Sequence, residues 1–464
     1  MQKETDTMTN GRQVLKTLGL AIAIGALLPD TGFSAQSRAT GPNVLLIMVD
    51  DLGYGDLSCY GGTDIKTPHI DKLMSEGMRF NAFYANCTVC SPSRASLLSG
   101  KYPEFVGIPG VVRTHESNNW GFLTPDSVML PQRFQENGYH TTLIGKWHLG
   151  LRKANRPNQR GFNVFHGWLG DMMDDYWEHR RHGINYMRRN EATIDPSGHA
   201  TDLFTRWSIA ALQQRAKTEQ PWFQFLAYNA PHSPINPPED WLAKVKARET
   251  GITDKRAGIV ALIEHLDDGI GKVLAAVDDL NQRDNTIVIF TSDNGGKLHY
   301  GASNGPLRSD KTHLYEGGIK VATCARWPGH IKPGQTTNFR ALTMDIVPTL
   351  ADICGVPINH DIDGRSFKTL LLAGHQEQFE HPVFHMWLQG KTKECMRHGD
   401  WKLVRDKADT PFEIYNIAMD PYEKKNLVKQ ETRRLSEMTN ALELHMKEAK
   451  RVPWKRPEAD KLRP

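Results

Sequence analysis

Residues 43–49 read NVLLIMV and run directly into Asp50-Asp51. An apolar run of this kind, without polar alternation, is typical of a strand that is buried on both faces of a sheet. Three more short apolar runs lie at residues 140–144, 223–228 and 286–290, with longer amphipathic stretches between them. This alternation predicts an α/β fold, with a mainly parallel central sheet flanked by helices.

The composition is that of an ordinary globular protein. The chain has 464 residues, 39% of them hydrophobic, and its 57 Lys and Arg against 53 Asp and Glu leave a formal net charge of +4. So small a net charge argues against a protein dedicated to nucleic-acid binding. The length suggests two or three structural units.

The N-terminal segment predicts export. Arg12 and Lys16 precede an apolar run at residues 18–28, and small residues follow near Ala35. The run is shorter than the ~20 residues of a spanning helix, so we interpret residues 1–35 as a cleavable signal peptide rather than a membrane anchor. We therefore expect a periplasmic or secreted protein without stable membrane insertion. Its six cysteines are too few for a disulfide-built scaffold, although Cys59 and Cys87 could pair if the fold brings them together.

The sequence pattern changes after about residue 375. Short strand-like pieces at residues 383–386, 401–404 and 413–416 precede a charged helix at residues 431–450. This pattern predicts a small C-terminal α+β subdomain, an antiparallel sheet plus a helix. The predicted organisation is a signal peptide at residues 1–35, a catalytic domain at 36–375, and the subdomain with its tail at 376–464.

Acidic side chains follow two of the predicted strands. Asp50 and Asp51 end the first strand, and Asp293-Asn294 follow the run at residues 286–290. The carboxyl ends of parallel strands meet at one edge of a sheet, where these carboxylates would repel one another unless a cation lay between them. Oxygen ligands favour Ca²⁺ or Mg²⁺ over zinc. Asp and Asn are also common in turns and helix caps, which is the alternative for each pair alone.

Basic and imidazole side chains follow the other two strands. Lys146 and His148 come after the run at residues 140–144, His232 follows the run at 223–228, and Lys311 lies beyond the Asp293 loop. A lone histidine is more often structural and a lone lysine more often a solvated charge. Their common position at the predicted active edge instead favours a role in catalysis.

One stretch connects these features to a known family. Residues 90–100 read CSPSRASLLSG, which resembles the signature of the sulfatases, where the leading cysteine is oxidised after synthesis to formylglycine. Ser99 stands where threonine is usual, a conservative exchange. Further matches follow in the family's order over residues 41–430: Asp50-Asp51, Gly145 to Gly150, His232, Asp293-Asn294, Lys311 with Glu316-Gly317-Gly318, and Ile414-Tyr415-Asn416. The resemblance implies an alkaline-phosphatase-like fold and hydrolysis of sulfate esters.

The resemblance also implies a ligand set and a nucleophile. Cys90, as formylglycine, would bind one Ca²⁺ together with four residues, with Mg²⁺ the less favoured ion. Those four are Asp50, Asp51, Asp293 and Asn294. One hydroxyl of the hydrated aldehyde would attack sulfur, with Arg94 holding that hydroxyl in place. The alternative for Arg94 is a structural salt bridge. Maturation implies a formylglycine-generating or sulfatase-maturating enzyme as a partner.

The remaining roles concern charge and protons. Lys146 and Lys311 would bind the sulfate oxygens, and His232, assisted by Lys311, would protonate the leaving oxygen. His148 would then take the proton of the second hydroxyl, so that sulfate is expelled and the aldehyde restored.

A segment between the catalytic motifs indicates the substrate. Residues 168–189 read WLGDMMDDYWEHRRHGINYMRR, with planar rings and both signs of charge, which favours a sulfated carbohydrate; a surface insertion is the alternative. Two other functions fit the motifs. One is a phosphoesterase or phosphonate hydrolase of the same superfamily, and the other is a sulfated-glycan binding protein with an unmodified Cys90.

Overall fold

The computed structural model describes residues 41–114, 119–390 and 392–452. The predicted signal peptide at residues 1–35 and most of the tail lie outside these residues. The strands are β1 (Asn43–Val49), β2 (Met78–Phe80), β3 (Phe83–Tyr84), β4 (His140–Lys146), β5 (Val164–Trp168), β6 (Arg180–Arg181), β7 (Ile184–Asn185), β8 (Met187–Arg189), β9 (Ala192–Thr193), β10 (Trp222–Ala227), β11 (Thr286–Ser292), β12 (Thr323–Arg326), β13 (Gln335–Thr337), β14 (Ala341–Leu342), β15 (Val383–Trp387), β16 (Lys393–His398), β17 (Trp401–Arg405) and β18 (Glu413–Asn416).

Helices lie between and beyond these strands. They are α1 (Pro68–Ser75), α2 (Cys90–Ser99), α3 (Leu130–Glu136), α4 (Ala200–Arg215), α5 (Glu239–Arg248), α6 (Asp254–Asp279), α7 (Glu316–Ile319), α8 (Ile346–Cys354), α9 (Lys368–Ala373) and α10 (Thr432–Ala449). Among the described residues, none of the helices is both long and apolar enough to cross a membrane.

The main sheet has ten strands in the order β13-β2-β12-β11-β1-β10-β4-β5-β8-β9. Its five central strands, from β11 to β5, are parallel, and antiparallel strands extend both sides. Every residue of β1, β10 and β11 is buried, so helices and loops cover both faces of the sheet. The predicted α/β fold with a mainly parallel sheet is confirmed, because continuous apolar runs suit strands with no solvent face.

The register of the sheet sets the position of the functional residues. Val49 pairs with Ser292 across β1 and β11, and Met48 pairs with Ala227 across β1 and β10. Ala227 in turn lies opposite Gly145 of β4. The four strands therefore end at nearly the same level, and the residues that follow them share one edge.

Helix α6 is more deeply buried than its apolar stripe indicates. The helical spacing of apolar residues between Ile259 and Val277 predicts a helix there, and α6 contains it. Glu264 and Asp267, however, are buried as well. Glu264 forms an ion pair with Arg248, and Asp267 accepts the backbone N–H groups of His69 and Ile70 at the start of α1. Both carboxylates are tolerated in the interior because they have these partners.

A separate four-stranded antiparallel sheet, β15-β16-β17-β18, lies near the C-terminus and is followed by α10. The small α+β unit is thus confirmed, whereas a domain boundary at residue 375 stays a prediction. Strand β16, with the sequence KECMRH, is missing from the sequence prediction because it has no clear apolar pattern. All six cysteines are free, so Cys59 and Cys87 are not paired.

A buried ion cluster joins this sheet to the rest of the chain. Lys402 of β17 is fully buried, and its Nζ lies 2.9 Å from Glu316 Oε1 and 2.7 Å from Glu423 Oε1. Glu423 Oε2 also accepts the backbone N–H of Glu316, at the start of α7. Lys402 therefore compensates two carboxylates that would otherwise be buried without enough positive charge.

We predict that Lys402→Met lowers the free energy of unfolding by about 3–5 kcal/mol, because it leaves Glu316 and Glu423 buried without their shared cation. Urea unfolding followed by tryptophan fluorescence measures the change. The matched control is Lys272→Met, which removes an exposed pair with Asp268 and should cost below ~1 kcal/mol. Equal losses in the two variants would contradict the role of Lys402.

Candidate active site

Two strand ends supply the acidic side of the site. Asp50 and Asp51 follow β1, and Asp293 and Asn294 follow β11, next to it in the sheet. Asp51 has a φ of 65°, and its backbone N–H donates to Asp293 Oδ1 at 3.2 Å. All four side chains are buried or nearly so. The structure therefore brings together the four predicted oxygen ligands.

The Asp293 loop closes against α7. A Cβ on Gly295 would lie 1.9 Å from the carbonyl oxygen of Gly317, so any larger residue would displace this backbone. Gly317 and Gly318 are packed as closely, because their Cβ atoms would lie 2.3 Å from the carbonyl oxygen of Ser309 and 1.9 Å from that of His313. This close packing keeps Asp293 and Asn294 at the edge of the sheet.

Cys90 is the first residue of α2 and is 3% exposed. Its Sγ lies 3.3 Å from Asp50 Oδ1 and 3.3 Å from Lys311 Nζ. Every residue of α2 is buried, although the helix is rich in serine and has no apolar stripe. Several of its polar side chains have hydrogen-bond partners: Ser93 donates to the carbonyl of Cys87 at 2.8 Å, and Ser91 Oγ accepts the backbone N–H of Val112 at 3.1 Å. Burial raises the pKa of the Cys90 thiol, and the Asp50 charge raises it further.

Arg94 lies one turn along α2, and its donors face the acidic residues. Its Nε and Nη2 donate to Asp293 Oδ2 at 3.1 and 2.9 Å, and Nη1 donates to the carbonyl of Lys146 at 3.2 Å. Its Nη2 is also 3.5 Å from Asp50 Oδ2. In this structure Arg94 therefore makes a buried ion pair with Asp293. This is the structural salt bridge that the sequence left open as the alternative role of Arg94.

Two lysines complete an alternating arrangement of charges. Lys146 forms a short ion pair with Asp50, and Lys311 Nζ lies 2.6 and 2.7 Å from the two oxygens of Asp51. Burial opposes ionisation of Asp50, but Lys146, His232 and Arg94 outweigh it and hold the pKa of Asp50 well below its ordinary value. Burial and the nearby Asp50 raise the pKa of Asp293 to about 7.

His148 follows β4 in a left-handed conformation, with φ 61°. Its Nε2 donates to the carbonyl of Val112 at 2.8 Å, which leaves Nδ1 buried and without a partner among the described residues. Burial, together with the charges of Lys146 and Arg94, holds the pKa of His148 well below its ordinary value. The ring is therefore neutral and presents a lone pair at Nδ1.

His232 follows β10, the strand between β1 and β4 in the sheet. Its Nδ1 donates to the carbonyl of Ser233 at 2.6 Å, so Nε2 carries the lone pair, 3.6 Å from Asp51 Oδ2. Burial and the Lys311 charge lower the pKa of His232 to about 4. The hydroxyl of Tyr176 lies 2.8 Å from the carbonyls of both Asn229 and His232, and so fixes this loop.

The oxygen atoms suit a hard cation. Asn294 Nδ2 donates to Asp51 Oδ1 at 2.8 Å, while Asn294 Oδ1 is buried with no hydrogen-bond partner in the described part of the chain. One ligand atom each from Asp50, Asp51, Cys90 and His232 lies within 4.8 Å of the others. A buried acceptor without a donor, next to several carboxylates, fits a cation with oxygen ligands.

A second cluster of this kind is structural. His199, Asp202 and His265 also lie within 4.8 Å of one another. However, His199 Nδ1 accepts the backbone N–H of Thr201 at the start of α4, and its Nε2 donates to the carbonyl of Asn236. With both ring nitrogens in use, His199 has no lone pair free for a metal.

A cavity of about 320 Å³ opens above Cys90. Its lining comprises Asp51, Val89, Cys90, Val111, Arg113, His148, Asp171, Met172, His232, Ser233, Lys297, Tyr300, Lys311, Thr312, Trp387 and Gln389. From the predicted substrate segment at residues 168–189, Asp171 and Met172 line the cavity, whereas Trp177 is 47% exposed and does not.

Sequence reasoning missed several of these wall residues. Lys297 and Tyr300 directly follow the Asp293 loop, so extending that strand exit by a few residues would have found them. Arg113 lies in a segment without periodicity, and Trp387 ends a strand of the C-terminal sheet. No local signal places these two residues at the site.

The arrangement defines a class of enzyme. A buried cysteine at a helix N-terminus, surrounded by cations and acidic oxygens at the edge of a parallel sheet, forms a site that can hold the anionic group of an ester during hydrolysis. With this fold, the protein is an ester hydrolase of the alkaline-phosphatase-like superfamily.

Comparisons with known proteins define the family. The family model described as Sulfatase matches residues 42–356, and that of the C-terminal part of N-sulphoglucosamine sulphohydrolase matches residues 308–451. Human N-acetylgalactosamine-6-sulfatase is 31% identical in an alignment of 377 positions, which covers 76% of this chain and 70% of the relative. The chain belongs to the sulfatase family and is a sulfuric ester hydrolase.

Solved structures agree with this assignment. The structure of Ps i-CgsB in complex with k-i-k-neocarrahexaose has a TM-score of 0.80 at 30% identity, over 87% of this chain and 92% of that one. A phosphonate monoester hydrolase of Agrobacterium radiobacter has a TM-score of 0.66 at 20% identity, over 89% of this chain and 96% of that one. The second likeness concerns the fold alone.

Proposed function

We propose that this protein is an exported sulfatase that removes sulfate esters from sulfated carbohydrates by means of formylglycine made from Cys90. The position of Cys90 carries the proposal. Its Sγ lies 3.3 Å from both Asp50 Oδ1 and Lys311 Nζ, at the floor of the cavity. Formylglycine at this position, once hydrated, would supply two hydroxyls, one to attack sulfur and one to lose a proton as sulfate departs.

The substrate class follows from the relatives and the cavity. One relative is named an N-acetylgalactosamine-6-sulfatase, and a similar structure holds an oligosaccharide. The cavity, about 320 Å³, is at the small end of ligand sites. Trp387 and Tyr300 offer planar apolar faces for a sugar ring. These features favour a sulfated sugar unit of a polysaccharide or oligosaccharide.

The oxygen ligands favour Ca²⁺. Asp50, Asp51, Asp293 and Asn294 would hold the ion, and the unpartnered Oδ1 of Asn294 fits this assignment. When bound, Ca²⁺ would offset sulfate charge and polarise a hydroxyl at residue 90. Lys146 and Lys311 would contact the sulfate oxygens, because both ammonium groups already lie against the acidic residues around Cys90.

The two histidines have different proton roles. His148 presents Nδ1 as a buried acceptor, so it would take the proton of the second hydroxyl. His232 would protonate the leaving oxygen from Nε2, which is without a proton in the free protein. An anionic sulfate ester near Nε2 raises the pKa of this imidazole, so binding of substrate favours its protonation. His232 lines the cavity, so this proton would come from solvent, and the Lys311 ammonium would assist by offsetting the negative charge that develops on the leaving oxygen.

Export and maturation complete the proposal. Residues 1–35 would act as a signal peptide, which leads the protein to the periplasm or outside the cell. A formylglycine-generating or sulfatase-maturating enzyme would act on the Cys90 motif. A host without such an enzyme would yield a protein with a thiol at residue 90.

We predict that co-expression with a maturating enzyme converts Cys90 to an aldehyde and gives a protein that releases sulfate from sulfated oligosaccharides. Without maturation, or as Cys90→Ser, turnover should fall at least ~100-fold, since neither group can expel sulfate by forming a carbonyl. Mass spectrometry of the Cys90 peptide and ion chromatography of sulfate make the measurement. An intact thiol in the native host would favour a binding protein, and phosphate ester turnover without sulfate release would favour a phosphoesterase.

We predict that chelation with EGTA abolishes sulfate release and lowers the unfolding temperature, because the clustered carboxylates lose their cation. Added Ca²⁺ should restore both more fully than Mg²⁺. Asn294→Leu should weaken Ca²⁺ binding by roughly tenfold or more, measured by calorimetry. Unchanged Ca²⁺ affinity in this variant would remove Asn294 from the ligand set.

We predict that His232→Gln lowers the turnover of a sugar sulfate by ~10²–10⁴-fold, because an alcohol leaves poorly without a proton. Turnover of an aryl sulfate such as 4-nitrophenyl sulfate should fall much less, because nitrophenolate leaves without needing a proton. The control is His148→Gln, which should slow both substrates by similar factors because both pass through sulfate release. If His232→Gln affected the two substrates equally, His232 would not be the proton donor.

A further inference from the structure

Arg113 lines the cavity next to the catalytic groups. His148 Nε2 donates to the carbonyl of Val112, so the backbone just before Arg113 holds the histidine ring. The Arg113 side chain is 29% exposed, and the residue belongs to the cavity wall. A cation beside the sulfate position is therefore available to a bound substrate.

The other cations of the wall are already engaged. Lys311 contacts Asp51 and Cys90. Lys297 Nζ has three oxygen partners: Asp310 Oδ2 at 3.1 Å, the carbonyl of Lys311 at 3.0 Å and Thr312 Oγ1 at 3.2 Å. Lys297 therefore stabilises the loop that carries Lys311, and Lys311 is committed to the acidic residues and the position of the scissile sulfate.

Arg113 is satisfied less completely. Its Nη1 lies 3.3 Å from Asp171 Oδ2, whereas its Nε is buried and has no hydrogen-bond partner among the described residues. A guanidinium has five N–H donors, and a carboxylate or a sulfate group can accept from two of them at once. The side chain as a whole is 29% exposed and lines the cavity, so an anionic partner can reach the guanidinium there and offset the cost of its incomplete hydrogen bonding.

Asp171 orients Arg113 rather than competing for the substrate. It is 2% exposed, and its Oδ1 accepts from Arg181 Nε at 3.2 Å and from the backbone N–H of Met172 at 2.8 Å. Its oxygens are thus committed to two arginines and to the backbone. This side of the cavity consequently offers positive charge and donors more than acceptors for sugar hydroxyls.

We propose that Arg113 binds a second oxyanion of the glycan, a sulfate or a carboxylate in addition to the scissile sulfate ester, and that Asp171 is its positioning residue. This inference rests on the proposed function of the site. It assigns the substrate class as doubly anionic carbohydrate, and it makes Arg113 a determinant of specificity.

The test compares oligosaccharides of one backbone: singly sulfated and neutral elsewhere, doubly sulfated, and singly sulfated with a uronic acid. Binding is measured by calorimetry in the Cys90→Ser background, which separates recognition from turnover. Arg113→Gln should weaken one or both doubly anionic ligands roughly tenfold more than the singly sulfated one. If only the doubly sulfated ligand loses affinity, the group that Arg113 binds is a sulfate. If only the ligand with a uronic acid loses affinity, that group is a carboxylate. Arg113→Lys keeps the positive charge but removes the paired N–H donors of the guanidinium, so its loss of affinity should be intermediate.

Arg181→Gln is the matched control, because Arg181 also pairs with Asp171 but does not line the cavity. It should change the affinity for all three ligands by the same factor. If Arg113→Gln also weakened all three alike, or if doubly anionic ligands did not bind, the inference would be overturned. Failure of the matured wild type to release sulfate from any of the panel would instead reject the proposed function.

Discussion

Three carboxylates and three cations alternate at the carboxyl edge of β1 and β11: Lys146 with Asp50, Arg94 with Asp293, and Lys311 with Asp51. Six largely buried charges are tolerated because each has an opposite charge in contact. The parallel register of the sheet creates this arrangement, since it ends neighbouring strands at one level. A shift by one residue would turn the carboxylates toward the other face and leave them unpaired.

The C-terminal sheet belongs to the site as much as to the fold. Trp387 packs on Val89 and Val111, which line the cavity together with Cys90. Lys393 Nζ contacts the carbonyl of Thr312 at 2.6 Å and thereby supports the loop that carries Lys311. Lys402 holds the same sheet against α7 through Glu316. Damage to this sheet should therefore affect catalysis as well as stability.

Much of this architecture could be predicted from the sequence. Strands β1 and β11 are uniformly apolar and end in acidic pairs, so local pattern and strand position together place Asp50 and Asp293 at one edge. The burial of helix α2 could not be predicted in this way, because its serine and arginine side chains have hydrogen-bond partners in distant segments. Arg113 and Trp387 reach the cavity through contacts between residues nearly 280 positions apart, such as Val111 N–H with Gln389 Oε1. Only the three-dimensional fold brings these together.

The burial of Cys90 has a consequence for the biosynthesis of the protein. With 3% of its surface exposed at the start of a fully buried helix, the thiol cannot enter the active site of another protein while α2 is in place. Under the proposed function, enzymatic oxidation of this side chain would therefore belong to the interval between synthesis and folding. A chain that folded first would enclose its cysteine unmodified.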